Sequence, residues 1–137
     1  MRRSSLVIGL CFMLALVLNV LAAQRGHPDI MQDVRGTVGS LGTNLEEGNG
    51  SGIAADASKM EGLFKELLPI YEQMGYGPVE QATAAAAAAA ATAEAAGADN
   101  IDAAREAAGG VTGSCQGCHS QFREKVDGSF RVKRGGH

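Results

Sequence analysis

The sequence predicts an all-α fold, an antiparallel up-down-up-down four-helix bundle, on three observations. Apolar residues recur at steps of three and four in the first, second and fourth of four successive segments. The third segment is almost pure Ala, the strongest helix former. Short stretches rich in Gly, Asn and Pro join the segments, and short connections set consecutive helices side by side and antiparallel.

The bundle begins after an export segment. Arg2 and Arg3 precede residues 6–18, which are apolar apart from Gly9, and Asn19 and the small residues Ala22 and Ala23 follow. A basic start, an apolar run of this length and small residues at its end read as a signal peptide over residues 1–23. Left uncut, the 18 positions from 6 to 23 approach the length of a membrane anchor.

The first segment, residues 28–47, carries the stripe Met31, Val34, Val38, Leu41 and Leu45, weakened by Gly36, Gly39 and Gly42. It is a helix only if packing supports it. Residues 48–52, GNGSG, read as a loop. The second segment, residues 53–74, has the clearest stripe: Met60, Leu63, Phe64, Leu67, Leu68, Tyr71 and Met74. Pro69 falls inside it and predicts a kink or an early end. After a turn at residues 75–78 comes the Ala-rich segment, in which residues 82–96 hold 12 Ala, two Thr and one Glu. Such small side chains either form a tract without a chemical role or let a planar ligand or another helix come close. Gly97 ends that segment, and Asp99 or Asn100 caps the fourth helix. Its stripe runs through Ile101, Ala104, Ala108, Val111, Cys115, Phe122 and Val126. The bundle domain thus spans residues 24–127, and residues 128–137, GSFRVKRGGH, read as a flexible basic tail. No segment shows a strand pattern.

From residue 24 onward, Leu, Ile, Val and Phe make up 18 of 114 residues, thin for a chain that must fill its own core. Ten basic against fifteen acidic residues in that stretch argue against nucleic acid as a partner.

Residues 115–119, Cys-Gln-Gly-Cys-His, form the C-x-x-C-H attachment signature of a c-type haem. On a helix Cys115, Cys118 and His119 stand at i, i+3 and i+4 and project from one face. The two thiols can then form thioethers with the vinyl groups of one haem c while the imidazole reaches the iron. A dithiol oxidoreductase would place its motif after a strand, and zinc would need more ligands than His27 and His137, both in ends expected to be mobile. A Cys115–Cys118 disulfide in a haem-free helical binding module is a further alternative. A haem's apolar face would also supply the bulk that the thin core lacks.

Over residues 111–125, VTGSCQGCHSQFREK, the chain resembles the class II c-type cytochromes, the cytochrome c′ family and its low-spin relatives. Their pattern reads approximately V-G-x-x-C-x-x-C-H-x-x-[FY]-R-x-K. Val111, Cys115, Cys118, His119, Phe122, Arg123 and Lys125 match it, while the glycine stands at Gly113, one place late. The four-helix layout matches over about residues 30–126, and a motif near the C-terminus departs from the small class I cytochromes.

The resemblance implies a sixth ligand from the first helix. Ile30-Met31-Gln32-Asp33 matches the [LI]-M-x-D of the low-spin members, and Leu41-Gly42 matches a later pair, so Met31 is the expected second iron ligand. Arg35 is expected to reach a haem propionate, Arg123 either a propionate or solvent, and Phe122 to pack on the haem edge or in the core. The implied protein is an exported or periplasmic monohaem electron carrier and not an enzyme. Its expected partners are redox proteins, with a monomer and a homodimer paired through helices one and two as open alternatives, and membrane association only if the signal is uncut. The alternative within the same family is a five-coordinate haem protein that binds nitric oxide or carbon monoxide.

Overall fold

The computed structural model describes residues 25–75 and 77–133. The expected signal, residues 1–23, lies outside the described residues. Four helices follow in order, α1 (His27–Glu47), α2 (Gly50–Gln73), α3 (Val79–Gly97) and α4 (Ile101–Phe122), and then two strands, β1 (Arg123–Val126) and β2 (Ser129–Val132). Among the described residues no helix is long and apolar enough to cross a membrane.

Local chemistry sets the helix ends. α1 starts at His27 with Pro28 in its first turn, where a missing N–H costs nothing. It stops at Gly48 in the left-handed region (φ 68°), and the Gly48 N–H donates to the Asn44 carbonyl. Asn49 caps α2, its side-chain oxygen accepting from the Gly52 N–H at 3.1 Å. A Cβ on Gly52 would lie 2.3 Å from Asn44 Oδ1, so any other residue there would displace the Asn44 and Asn49 side chains. Asn100 rather than Asp99 caps α4, accepting from the Ala103 N–H at 3.1 Å. α2 runs through Pro69 to Gln73 instead of ending at the proline. Leu67 and Tyr71, both buried, hold the helix on either side of it, and Pro69 itself is exposed.

α1 packs on α2, α2 on α3, and α3 on α4, giving the antiparallel four-helix bundle. The Ala tract explains the closeness of α3 to both neighbours. Ala82, Ala85, Ala89 and Ala96 are buried, Thr92 is fully buried with its hydroxyl donating to the Ala88 carbonyl, and a Cβ on Gly110 of α4 would touch Ala88 at 3.0 Å. The core falls into two clusters. The larger joins Ile30 and Val34 of α1 to Met60, Leu63, Phe64, Leu67 and Tyr71 of α2, the α3 alanines and Val111. The smaller, at the other end, joins Leu41, Ile53, Ala96, Ala104 and Ala108. The fourth side of the bundle, between α1 and α4, is not among the closely packed pairs.

The C-terminal segment departs from expectation. α4 ends at Phe122, four residues before Val126, because Arg123 is extended (φ −96°, ψ 128°). Residues expected to be a flexible tail instead supply β2, which pairs antiparallel with β1 in the register Glu124↔Arg131 and Lys125↔Phe130. Asp127 (φ 51°) and Gly128 (φ 83°) form the two-residue turn, both in the left-handed region that such hairpins require. The Lys133 N–H donates to the Phe122 carbonyl at 2.7 Å and ties the hairpin back to the helix end. Residues 134–137 lie outside the described residues.

Candidate functional site

The open side between α1 and α4 holds a cavity of about 520 Å³. That is within the range of about 300–1,000 Å³ usual for small-molecule and cofactor sites. All seven residues singled out from the sequence line it: Met31 and Arg35 from α1, Cys115, Cys118, His119 and Phe122 from α4, and Arg123 from β1. Residues 88 apart in the chain, Met31 and His119, therefore share one chamber.

On α4 the three motif residues are partly buried and share the helix face that also carries buried Val111. Both cysteines are free thiols. Burial pushes the Cys115 thiol up, and burial together with Cys115 pushes the Cys118 thiol up. A redox dithiol needs a lowered thiol, so this environment does not suit that chemistry. Burial, with Arg123 nearby, holds His119 below the usual histidine range, which favours the neutral imidazole, the form that ligates metals. Among the described residues no three or more His, Cys, Asp or Glu side chains converge to hold a bare metal ion.

Three contributors to this site were missed in the sequence. His27 is not in a mobile end: it opens α1, is half-buried and lines the cavity one turn before Met31. Its Nε2 lies 3.0 Å from the hydroxyl of buried Tyr71 on α2. Burial lowers His27, with His119 adding to the effect, and burial with Cys118 and Cys115 raises Tyr71 far above the phenolic range. Both shifts favour the uncharged forms, so the contact joins a neutral imidazole and a protonated hydroxyl. Arg25, just before α1, pairs with Asp33 and Glu66 and ties the start of α1 to α2. Gln81 of α3 also faces the cavity, and its buried Oε1 has no hydrogen-bond partner among the described residues. The third contributor is the hairpin, which brings Phe130, Arg131 and Val132 across the cavity's edge. The Asp127-Gly128 turn was the readable sign of it. For His27 and Gln81 no local sign exists, since their surroundings come from helices distant in the chain.

The residues present fit a haem. A planar, mostly apolar group held by the two thiols would lie against Val34, Phe64, Ala82 and Ala85, and would give the orphaned Gln81 amide a neighbour. Val38 (41% exposed) and Phe130 (62%), the large apolar residues left most exposed among those described, both border this cavity. Arg35 and Arg123 stand at its wall without a carboxylate partner among the described residues.

Comparison with protein families matches residues 76–123 to the family described as Cytochrome C'. The match covers α3 and α4 and stops at the first residue of the hairpin. Comparison with curated proteins and with solved structures found no match. A C-x-x-C-H face turned into the cavity of a four-helix bundle, together with this family match, supports a haem c-type cytochrome.

Proposed function

We propose that the chain is an exported monohaem c-type cytochrome that carries single electrons, with His119 and Met31 as the two iron ligands. One observation carries the reading: Met31 of α1 and the Cys115–Cys118–His119 face of α4 border the same cavity. The haem, when bound, supplies one-electron chemistry at its iron, and a Met/His pair raises its reduction potential. The chain's own residues do the rest. Cys115 and Cys118 anchor the group, and Arg35 and Arg123 offer charge-assisted hydrogen bonds to its carboxylates. Phe64, Ala82 and Ala85 exclude water from its faces, and Tyr71 holds the His27 ring in place beside Met31. No acid, base or nucleophile is needed, consistent with a carrier rather than an enzyme.

The test is the spectrum of protein made in a host that attaches c-type haem. Sharp α and β bands in the reduced state are expected, and Met31→Ala should convert them to a high-spin spectrum that shifts with carbon monoxide. If Met31→Ala leaves the spectrum unchanged, another residue supplies the ligand. The second reading, equally compatible with the family match, is a five-coordinate protein that binds nitric oxide or carbon monoxide. A wild-type spectrum that is already broad and shifts with carbon monoxide establishes that reading instead.

A further inference from the structure

The C-terminal hairpin carries the opposite charge to the body it sits on. Between residues 25 and 122, five Lys and Arg stand against thirteen Asp and Glu, whereas between 123 and 133 four stand against two. Glu124 is taken up by Arg131 at 3.3 Å. Arg123, Lys125 and Lys133 have no carboxylate partner among the described residues. Two of them flank Phe130, the Arg123 guanidinium 4.3 Å and the Lys125 ammonium 5.8 Å from the ring centroid. Arg123, Phe130 and Arg131 also line the cavity, so the hairpin is both the wall of the site and an outer surface of the molecule.

We propose that this hairpin is the docking surface for a one-electron redox protein that presents an acidic patch, and that electrons enter or leave the site across it. The inference rests on the electron-carrier reading above. The net negative bundle opposes an acidic partner while the net positive hairpin attracts it, so the field favours one orientation as well as one kind of partner. Even with two haem carboxylates set against Arg35 and Arg123, Lys125 and Lys133 remain to meet the partner. An anionic membrane fits less well, because a flat surface would also face the bundle's excess of acidic residues, and one Phe is a small apolar anchor. With haem bound, the exchange would move one electron between it and the partner's own one-electron centre, one being oxidised as the other is reduced, with no proton or leaving group.

The full exported holoprotein, reduced, is mixed with hexacyanoferrate(III), a small anionic oxidant, at rising salt. Its overall charge is negative, so a whole-molecule field predicts oxidation that speeds up with salt. Docking at the hairpin predicts the reverse, a rate that falls about tenfold between roughly 10 and 500 mM salt. Lys125→Glu/Lys133→Glu should invert the salt dependence, and Lys59→Glu/Lys65→Glu, the same charge change on α2, should leave its sign unchanged. A wild-type rate that rises with salt, or equal effects of the two double variants, overturns the docking surface and leaves the electron carrier standing. Protein with no Soret band removes both readings. Binding to vesicles containing about 30% phosphatidylserine, or self-association, that is lost in Lys125→Glu/Lys133→Glu would assign the hairpin to lipid or to a second copy and overturn the redox-partner proposal.

Discussion

The helical bundle and the C-terminal hairpin form one cavity wall yet are built on different physics. The bundle is acidic and is held by burial: Ile53, Met60 and Leu67 are fully buried, and Ala-on-Ala contacts bring α3 against its neighbours. The hairpin is basic, with four-residue strands, and Val132 is its contact with the larger core cluster. A short two-stranded ribbon is marginal on its own, so this one depends on the bundle. The family match divides the chain at the same place, ending at Arg123. The matched part is therefore helical, and the ribbon beyond Arg123 lies outside it.

The largest effect that can break this contrast lies in the bundle core. Leu67→Ala should cost about 2–5 kcal/mol, lowering the whole thermal transition, whereas Phe130→Ala, at a residue 62% exposed, should leave the midpoint nearly unchanged. Comparable losses in a calorimetric comparison would show that the hairpin is part of the cooperative core. Next comes the joint between the two regions. A Cβ on Gly77 would lie 2.6 Å from the Phe122 ring, which closes α4 and lines the cavity. Gly77→Ala should therefore cost about 1–3 kcal/mol and perturb the visible haem bands. An unaltered spectrum would place Phe122 away from the cofactor.

A smaller effect depends on pH. His27 is lowered in the folded state, so between its folded value and about 6.5 the unfolded chain binds more protons. Stability is then complete above about pH 6.5 and falls as the medium is acidified. Melting of the holoprotein at pH 7.5 and 5.5 should show the loss, and His27→Gln should reduce it. An equal loss in the variant would mean that His27 does not contribute. The smallest effect isolates the hairpin: Gly128→Ala, at φ 83°, should weaken the turn by about 1 kcal/mol. Hydrogen exchange should quicken at β1 and β2 amides and not in α2, and faster exchange in both would join the two regions into one unit.

Legibility in the sequence follows the same boundary. The four helices were readable because each carries its own local cause, whether a periodic stripe, an Ala tract or an Asn cap. α1 was readable despite Gly36, Gly39 and Gly42, since its stripe survives them. The hairpin was misread because Phe122 and Val126 stand at a helical step, and that weak periodicity was preferred to the turn at Asp127-Gly128. In the site, the α4 motif declared itself through spacing, and Met31 and Arg35 through resemblance to the class II cytochromes. His27 and Tyr71 did not, because their hydrogen bond joins residues 44 apart and exists only once α1 lies on α2.

The open seam between α1 and α4 has a topological consequence. Every tight helix contact in this bundle is between neighbours in sequence, an arrangement of low contact order that favours rapid assembly. What remains is to join the first helix to the last. If Met31 and His119 bind one iron, that bond closes a ring through the three intervening turns of the bundle. In a chain-entropy treatment, a cross-link over a loop of this length restricts the unfolded ensemble by about 4–5 kcal/mol. The cofactor would then act as a reversible cross-link whose strength follows iron ligation. A change of oxidation state or a competing gas at the Met31 side would alter the tension between the two ends of the fold.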